Sequence, residues 1–319
     1  MFDTGEEIEI SPLELGEQWG DVLHHYRLLA GQPGKSNRLP RRGATAKGVN
    51  PQPSPMPIDA DLDLQFVADE SRQGAMQMAL EEVAARRVSE GGAGLVRVFS
   101  WEPSTLSMGY GQATKTVDWT FCEVNGIDVT RRQTGGGGIY HDARGDISYS
   151  IVVPREAVSG DLLESYHTLC EPIIEFFHAI GIDASFADEQ HDAVYAPACF
   201  LRDIHPAHDI LVEGKKISGN AQYRQRDAVI QHGSIISSQA IDSHLGVFAE
   251  ELSPDLFQQR VTSVDEHVEF TRAEVVVELE QMLRSWSGAT EREWTADELT
   301  SARRLAEEKY TASSWIERS

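Results

Sequence analysis

The sequence predicts an α+β domain, a mixed β-sheet flanked by helices, and three observations lead there. The chain has 319 residues, 40% of them hydrophobic, enough to bury one sizeable core. Short β-like runs crowd the stretch from 95 to 237 without the spacing of repeated βαβ units. Beyond residue 238 the pattern becomes helical.

Residues 1–61 stand apart. The stretch "GQPGKSNRLPRRGATAKGVNPQPSPMP" has no hydrophobic period and too little apolar surface to offset the entropy of ordering, which predicts a disordered extension. Within it, 15–31 has the pattern of one amphipathic helix, and Met56 is a candidate alternative start of translation. The globular part begins near 62. "SRQGAMQMALEEVAARRV" (71–88) carries Ala75, Met78, Ala79, Val83 and Val88 at helical spacing, with Gly91 and Gly92 as the stop. Strands are expected at 95–101, 105–110, 128–134, 146–154, 208–219 and 227–237, with helices near 117–125 and 160–180. Thr271-x-x-Glu274 and Thr295-x-x-Glu298 read as capping boxes, so 251–319 is expected to be a helical segment packed on a 62–250 catalytic domain.

Charge and cysteine usage exclude several function classes. Acidic residues outnumber basic ones 51 to 28, a formal charge of −23, which suits solubility in concentrated salt and offers no broad field for nucleic acid. Three cysteines without a CxxC argue for a reducing compartment, and the cytoplasm is the expected location. No apolar run is long enough for a membrane span, and no secretory leader is visible.

Two segments carry chemistry. "RRQTGGGGIYHD" (131–142) sets Gly135, Gly136, Gly137 and Gly138 between strand-like runs, with no helix-opening GK[ST]. A P-loop and a dinucleotide fingerprint therefore both fail on context. Bare N–H groups there suit an anion or a thin acyl chain, with Arg131 and Arg132 supplying charge, unless the run is only a wide hairpin turn. "EGKKISGNAQYRQRDAVIQHGSI" (213–235) places Lys215 and Lys216 together in a chain with six lysines, where a solvated hairpin tip is the bland reading. His205-x-x-His208 lacks the context of a zinc site.

These two segments, with "VRVFSWEPSTLSMGYGQ" (96–112) upstream, resemble the lipoate–protein ligase and octanoyltransferase family, relatives of biotin–protein ligases, over about residues 65–250. The resemblance implies a biotin/lipoate ligase-like domain, akin to class II aminoacyl-tRNA synthetases. It also implies attachment of a lipoyl or octanoyl group to one lysine of a lipoyl domain, in a 2-oxoacid dehydrogenase E2 or the glycine cleavage H protein. Lys216 matches the family's lysine and would hold the activated carboxyl and stabilise the oxyanion. Asp209 matches a ligase Asp suited to Mg²⁺ on ATP phosphates. Cys199 in "APACFLRD" matches the octanoyltransferase nucleophile and would need activation, with Lys216 the nearest candidate. The glycine loop would close over the acyl tail, with Arg131, Arg132, Tyr140, His141, Ser218, Gly219, Asn220 and His232 as binding residues and Asp142 ordering the loop. Asp209 points to an ATP-dependent ligase, the reading expected first; Cys199 points to transfer from an octanoyl carrier protein. A non-catalytic lipoate-binding or accessory protein is the third reading, and in the first a separate accessory protein is an expected way of completing the site. The Gly-Arg-Gly-Arg loop of biotin ligases is absent.

Overall fold

The computed structural model describes residues 62–158, 160–187, 197–202, 204, 208–225 and 227–318. The expectations for residues 1–61, and His205 of the His205/His208 pair, lie outside the described residues.

Strands run in chain order as β1 (Leu64–Arg72), β2 (Gly94–Trp101), β3 (Thr105–Met108), β4 (Asp128–Arg131), β5 (Ile139–His141), β6 (Asp146–Pro154), β7 (Ala184–Phe186), β8 (Asp209–Val212), β9 (Lys215–Arg224), β10 (Ala228–Ile236) and β11 (Thr290–Glu291). The main sheet has the order β11-β1-β2-β6-β10-β9-β8-β7, and β4-β3-β5 forms a second, smaller one. Pairing is parallel at β11/β1/β2 and antiparallel from β2 through β7, so the sheet is mixed as expected. Four longer helices flank it: α1 (Gly74–Ser89), α2 (Leu162–Ala179), α3 (Arg272–Ser287) and α4 (Ala296–Leu305).

Alternation along the central strands divides the core in two. Val96, Ile151 and Val229 face Ile173 and Phe177 of α2 and Leu279 and Leu283 of α3. Their neighbours Leu95, Val152 and Ile230 face Met78 and Val83 of α1 and Leu305 of α4. With helices on both faces, every residue of β10 is buried, and each large aliphatic there contributes about 2 kcal/mol of burial. A third cluster, including Leu106, Ile139, Phe200 and Val261, joins the small sheet to the turn at Cys199–Leu201.

Local chemistry sets the ends of these elements. Both capping boxes form, Thr271 with Glu274 at α3 and Thr295 with Glu298 at α4. Glu213 and Gly214 both take positive φ, 51° and 78°, giving the tight turn that joins β8 to β9. β1 was not expected: its outer half, Asp69–Arg72, is polar, and only its inner half carries a buried apolar run. Among the described residues no helix is long and apolar enough to cross a membrane.

Candidate active site

The glycine loop is shaped by the protein's own backbone. Gly138 N–H donates to Pro197 O at 2.8 Å, and Cys199 N–H donates to Gly138 O at 2.8 Å, a parallel bridge that carries Cys199 to the loop. A Cβ on Gly137 would lie 2.6 Å from Pro197 O and 2.9 Å from Cys199 N. Gly136 has φ of +95°, which favours glycine, whereas Gly135 is exposed and a Cβ there would meet nothing within 4 Å. What comes close to the bare backbone at Gly137 and Gly138 is thus the Pro197–Cys199 segment. Gly137→Ala is therefore expected to cost about 1–3 kcal/mol and displace the cysteine turn, while Gly135→Ala stays close to the wild type; urea unfolding midpoints compare them.

Cys199 opens the short 3₁₀ turn Cys199–Leu201, and its half-buried thiol lies over β9, 3.5 Å from where a Cβ of Gly219 would be. From the same strand Lys216 reaches under the turn. Its Nζ sits 3.0 Å from Asp209 Oδ1 and donates to Cys199 O at 3.2 Å. Lys216 is 2% exposed and Asp209 1%, so this is a buried ion pair on adjacent strands and no solvated hairpin tip.

Arg132 is the second buried cation here. Burial drives its pKa down to about 10, opposed in part by the neighbouring Glu81 carboxylate. The other two thiols are deeply placed: burial, with Asp118, pushes Cys122 up to about 11, and burial pushes Cys170 up to about 12.

Beside Arg132 lies a small pocket, with Met78, Phe99, Trp101 and Ile139 supplying apolar wall and His141 and His232 at its polar side. Both histidines are held in place by hydrogen bonds and buried carboxylates. His141 stacks on Trp101 at 4.0 Å and contacts Ser107 Oγ at 2.9 Å and Asp146 Oδ2 at 3.2 Å; burial lowers its pKa against the pull of Asp146. His232 contacts Thr134 Oγ1 at 2.8 Å and Glu81 Oε2 at 3.0 Å. Burial would raise Glu81, but the charge and hydrogen bond of His232, with Arg97, hold its carboxyl below the ordinary value.

The family model for the lipoyl protein ligase A/B catalytic domain matches residues 73–284. The chain belongs to that family. Octanoyltransferase LipM of Staphylococcus aureus is 30% identical over 277 residues, covering 79% of this chain and 97% of that one. Octanoyltransferase LipM of Brevibacillus brevis is 29% identical with the same two coverages. Among solved structures, lipoate-protein ligase A bound with ATP superposes with a TM-score of 0.68 at 24% identity, over 80% of this chain and 99% of that chain. A bipartite lipoate protein ligase from Thermoplasma acidophilum gives 0.67 at 23%, over 80% and 96%. The fold is that of lipoate ligases, and the chain is an enzyme of the lipoyl ligase A/B family.

Within this family framework several expected roles change. Arg131 and Arg132 were expected to offer charge to an anion; their guanidiniums instead donate to carbonyls. Arg131 bonds Gly109 O, Tyr110 O, Gln112 O and Ile316 O, and Arg132 bonds Ser107 O, Gly135 O and Gly137 O. Tyr140 was expected to bind substrate, but strand alternation sends Ile139 and His141 to the pocket and Tyr140 to the opposite side, edge-on to His244. Ser218 and Asn220 are internal too: Asn220 accepts from Tyr149 OH at 2.7 Å and donates to His208 O at 2.8 Å, bracing the strand that carries Asp209. Asp142 closes a turn by accepting from Asp146 N and Arg144 N. Asp209 does not fit the expected Mg²⁺ ligand, because its carboxylate is buried against Lys216, and no cluster of three metal-ligating side chains occurs among the described residues. Sequence reasoning missed Trp101, Met78, Glu81, Ser148 and Ser234; small hydroxyls inside the buried runs of β6 and β10 are the signal that marks a pocket floor.

Proposed function

We propose that this enzyme transfers an octanoyl group from an acyl carrier protein to a lysine of a lipoyl domain, through a thioester on Cys199. The observation that carries this reading is the Cys199 turn itself: a half-buried thiol over the buried Lys216–Asp209 pair, tied through its backbone to the glycine loop, whose Arg132 lines a largely apolar pocket. The similarity to LipM octanoyltransferases supports the same reading over the ATP-dependent ligase expected first.

In the first step the Cys199 sulfur attacks the donor's thioester carbonyl. The carbon–sulfur bond to the carrier breaks, the carrier thiolate leaves and takes up a proton, and octanoyl-S-Cys199 forms. In the second step a neutral lysine amine of the acceptor attacks the new thioester. The amide forms, the nitrogen gives up a proton, and the Cys199 thiolate departs. Lys216, fixed by Asp209, stabilises the oxyanion at each step, while Arg132, its N–H groups taken by the loop, contributes only its charge. The apolar wall of Met78, Phe99 and Trp101 takes the acyl tail and excludes water from the thioester.

The ligase reading needs cations free to meet a triphosphate and a carboxylate free to hold Mg²⁺. Arg131, Arg132 and Asp209 are committed elsewhere, so no step is assigned to ATP or Mg²⁺. Acceptors are the lipoyl domains of 2-oxoacid dehydrogenase E2 or the glycine cleavage H protein; the bipartite Thermoplasma ligase is described with an E2 lipoyl domain of its own. Three unpaired thiols suit a reducing compartment such as the cytoplasm. The test is purified protein with octanoyl carrier protein and an unmodified lipoyl domain, without ATP, against lipoate with ATP-Mg²⁺ and the same acceptor. Amide formation is expected in the first mixture; product in the second alone would reinstate the ligase.

A further inference from the structure

Residues 131–134 lead from β4 through a bend into the glycine loop, and their side chains divide between two environments. Arg132 and Thr134 face the pocket: Arg132 holds the carbonyls of Gly135 and Gly137, and Thr134 holds His232. Arg131 and Gln133 face the other way, onto the last residues of the chain. Arg131 Nη2 donates to Ile316 O at 2.6 Å, and Trp315 Nε1 donates to Arg131 O at 2.9 Å. Gln133 Nε2 donates to Tyr310 OH at 2.8 Å and to Glu82 Oε2 at 2.9 Å, an oxygen that also receives Lys309 Nζ and Tyr310 OH.

The same tail grips a second loop. Arg318 lies over the Tyr110 ring at 3.9 Å, Trp315 meets that ring edge-on, and Arg131 Nη1 gathers the carbonyls of Gly109, Tyr110 and Gln112. That loop touches the glycine loop directly: Tyr110 N donates to Thr134 O at 2.8 Å, and a Cβ on Gly109 would overlap the Gly136 carbonyl. None of residues 311–318 is itself fully buried; Trp315 packs on the edge of the core at Tyr310, and the tail's polar contacts converge on these two loops. They also lie beyond the 73–284 span matched by the family model.

We propose that the tail Thr311–Arg318 is a clasp and that Trp315 and Arg131 are positioning residues: through Arg131 they hold the 109–112 loop and the glycine loop in the geometry that receives the acyl donor. The assignment rests on the acyl-transfer reading above and adds an element to it. Losing the clasp leaves Cys199, Lys216 and the pocket walls present, so its effect falls on acyl binding more than on turnover of bound donor.

The test compares the full chain, a chain ending at Tyr310, and Trp315→Phe, which keeps an aromatic ring in place but removes the Nε1 donor and part of the indole's contact area. The shortened chain is expected to raise KM for the octanoyl donor about tenfold, with kcat per acylatable Cys199 nearly unchanged and a thermal midpoint within a few degrees of the full chain. Trp315→Phe is expected to fall between the two. An unchanged KM in both variants overturns the clasp, as does a fall in kcat alone, the signature of fewer folded molecules. Equilibrium dialysis with octanoate separates this from the reading beneath it. The shortened chain should bind octanoate about tenfold more weakly whether or not a thioester forms. Equal binding by the two chains refutes the clasp, whereas no acyl adduct on the full chain refutes the thioester and leaves the dialysis result standing.

Discussion

Cys199→Ser is expected to reduce octanoyl transfer on the order of 10⁴-fold while leaving the fold intact. A serine hydroxyl fits where the half-buried thiol sits, over the open space of Gly219, so packing changes little. The chemistry changes greatly. A hydroxyl ionises far less readily than a thiol, and two neighbouring cations do not close that gap. Cys122→Ser is the control: its thiol is buried, pushed up to about 11, and remote in role, so transfer should persist in the folded fraction. Rates measured per folded molecule, by circular dichroism and a lipoyl-domain gel shift, check both. Wild-type transfer by Cys199→Ser would exclude the covalent route.

Lys216 carries the second large effect, and here stability and catalysis must be separated. Removing the ammonium deprives the site of a donor worth about 3–4 kcal/mol to an oxyanion, a rate loss of a hundredfold or more. It also leaves Asp209 buried without its cation, and breaking such a pair costs about 3–5 kcal/mol of stability. Lys216→Met alone is therefore expected to lower both the unfolding midpoint and the rate. Lys216→Met with Asp209→Asn removes both charges and should recover much of the stability and none of the rate. If the double variant regains transfer, Lys216 serves the fold and has no part in the chemistry.

The parts of this molecule that the sequence revealed are those governed by local pattern. The strand at 146–154 coincides with β6, the two capping boxes form as read, and the helix read at 160–180 is α2. Glycine at 135–138 and lysine at 216 stood out because both are rare choices for their surroundings, and the structure brings both against the Cys199 turn. What stayed hidden depends on where a donor points. Arg131 and Arg132 show charge in a sequence but not that their guanidiniums bind carbonyls of distant segments such as Ile316 and Ser107. Asp209 reads equally as a metal ligand or a surface carboxylate until the β8/β9 register sets it against Lys216. Tyr140 was misplaced by one step of strand alternation. Glu81 and Glu82 lie in the helical run read at 71–88, and both prove buried, Glu81 against His232 of β10 and Glu82 against Lys309 and Tyr310.

Whether Cys199 carries the acyl group is decided by intact-mass and peptide mass spectrometry of the protein mixed with octanoyl carrier protein, without ATP and without acceptor. One octanoyl group, labile to hydroxylamine, is expected on the peptide that contains Cys199, and it should be discharged when a lipoyl domain is added. Acyl transfer to the lipoyl domain with no adduct ever present on that peptide would contradict the thioester route.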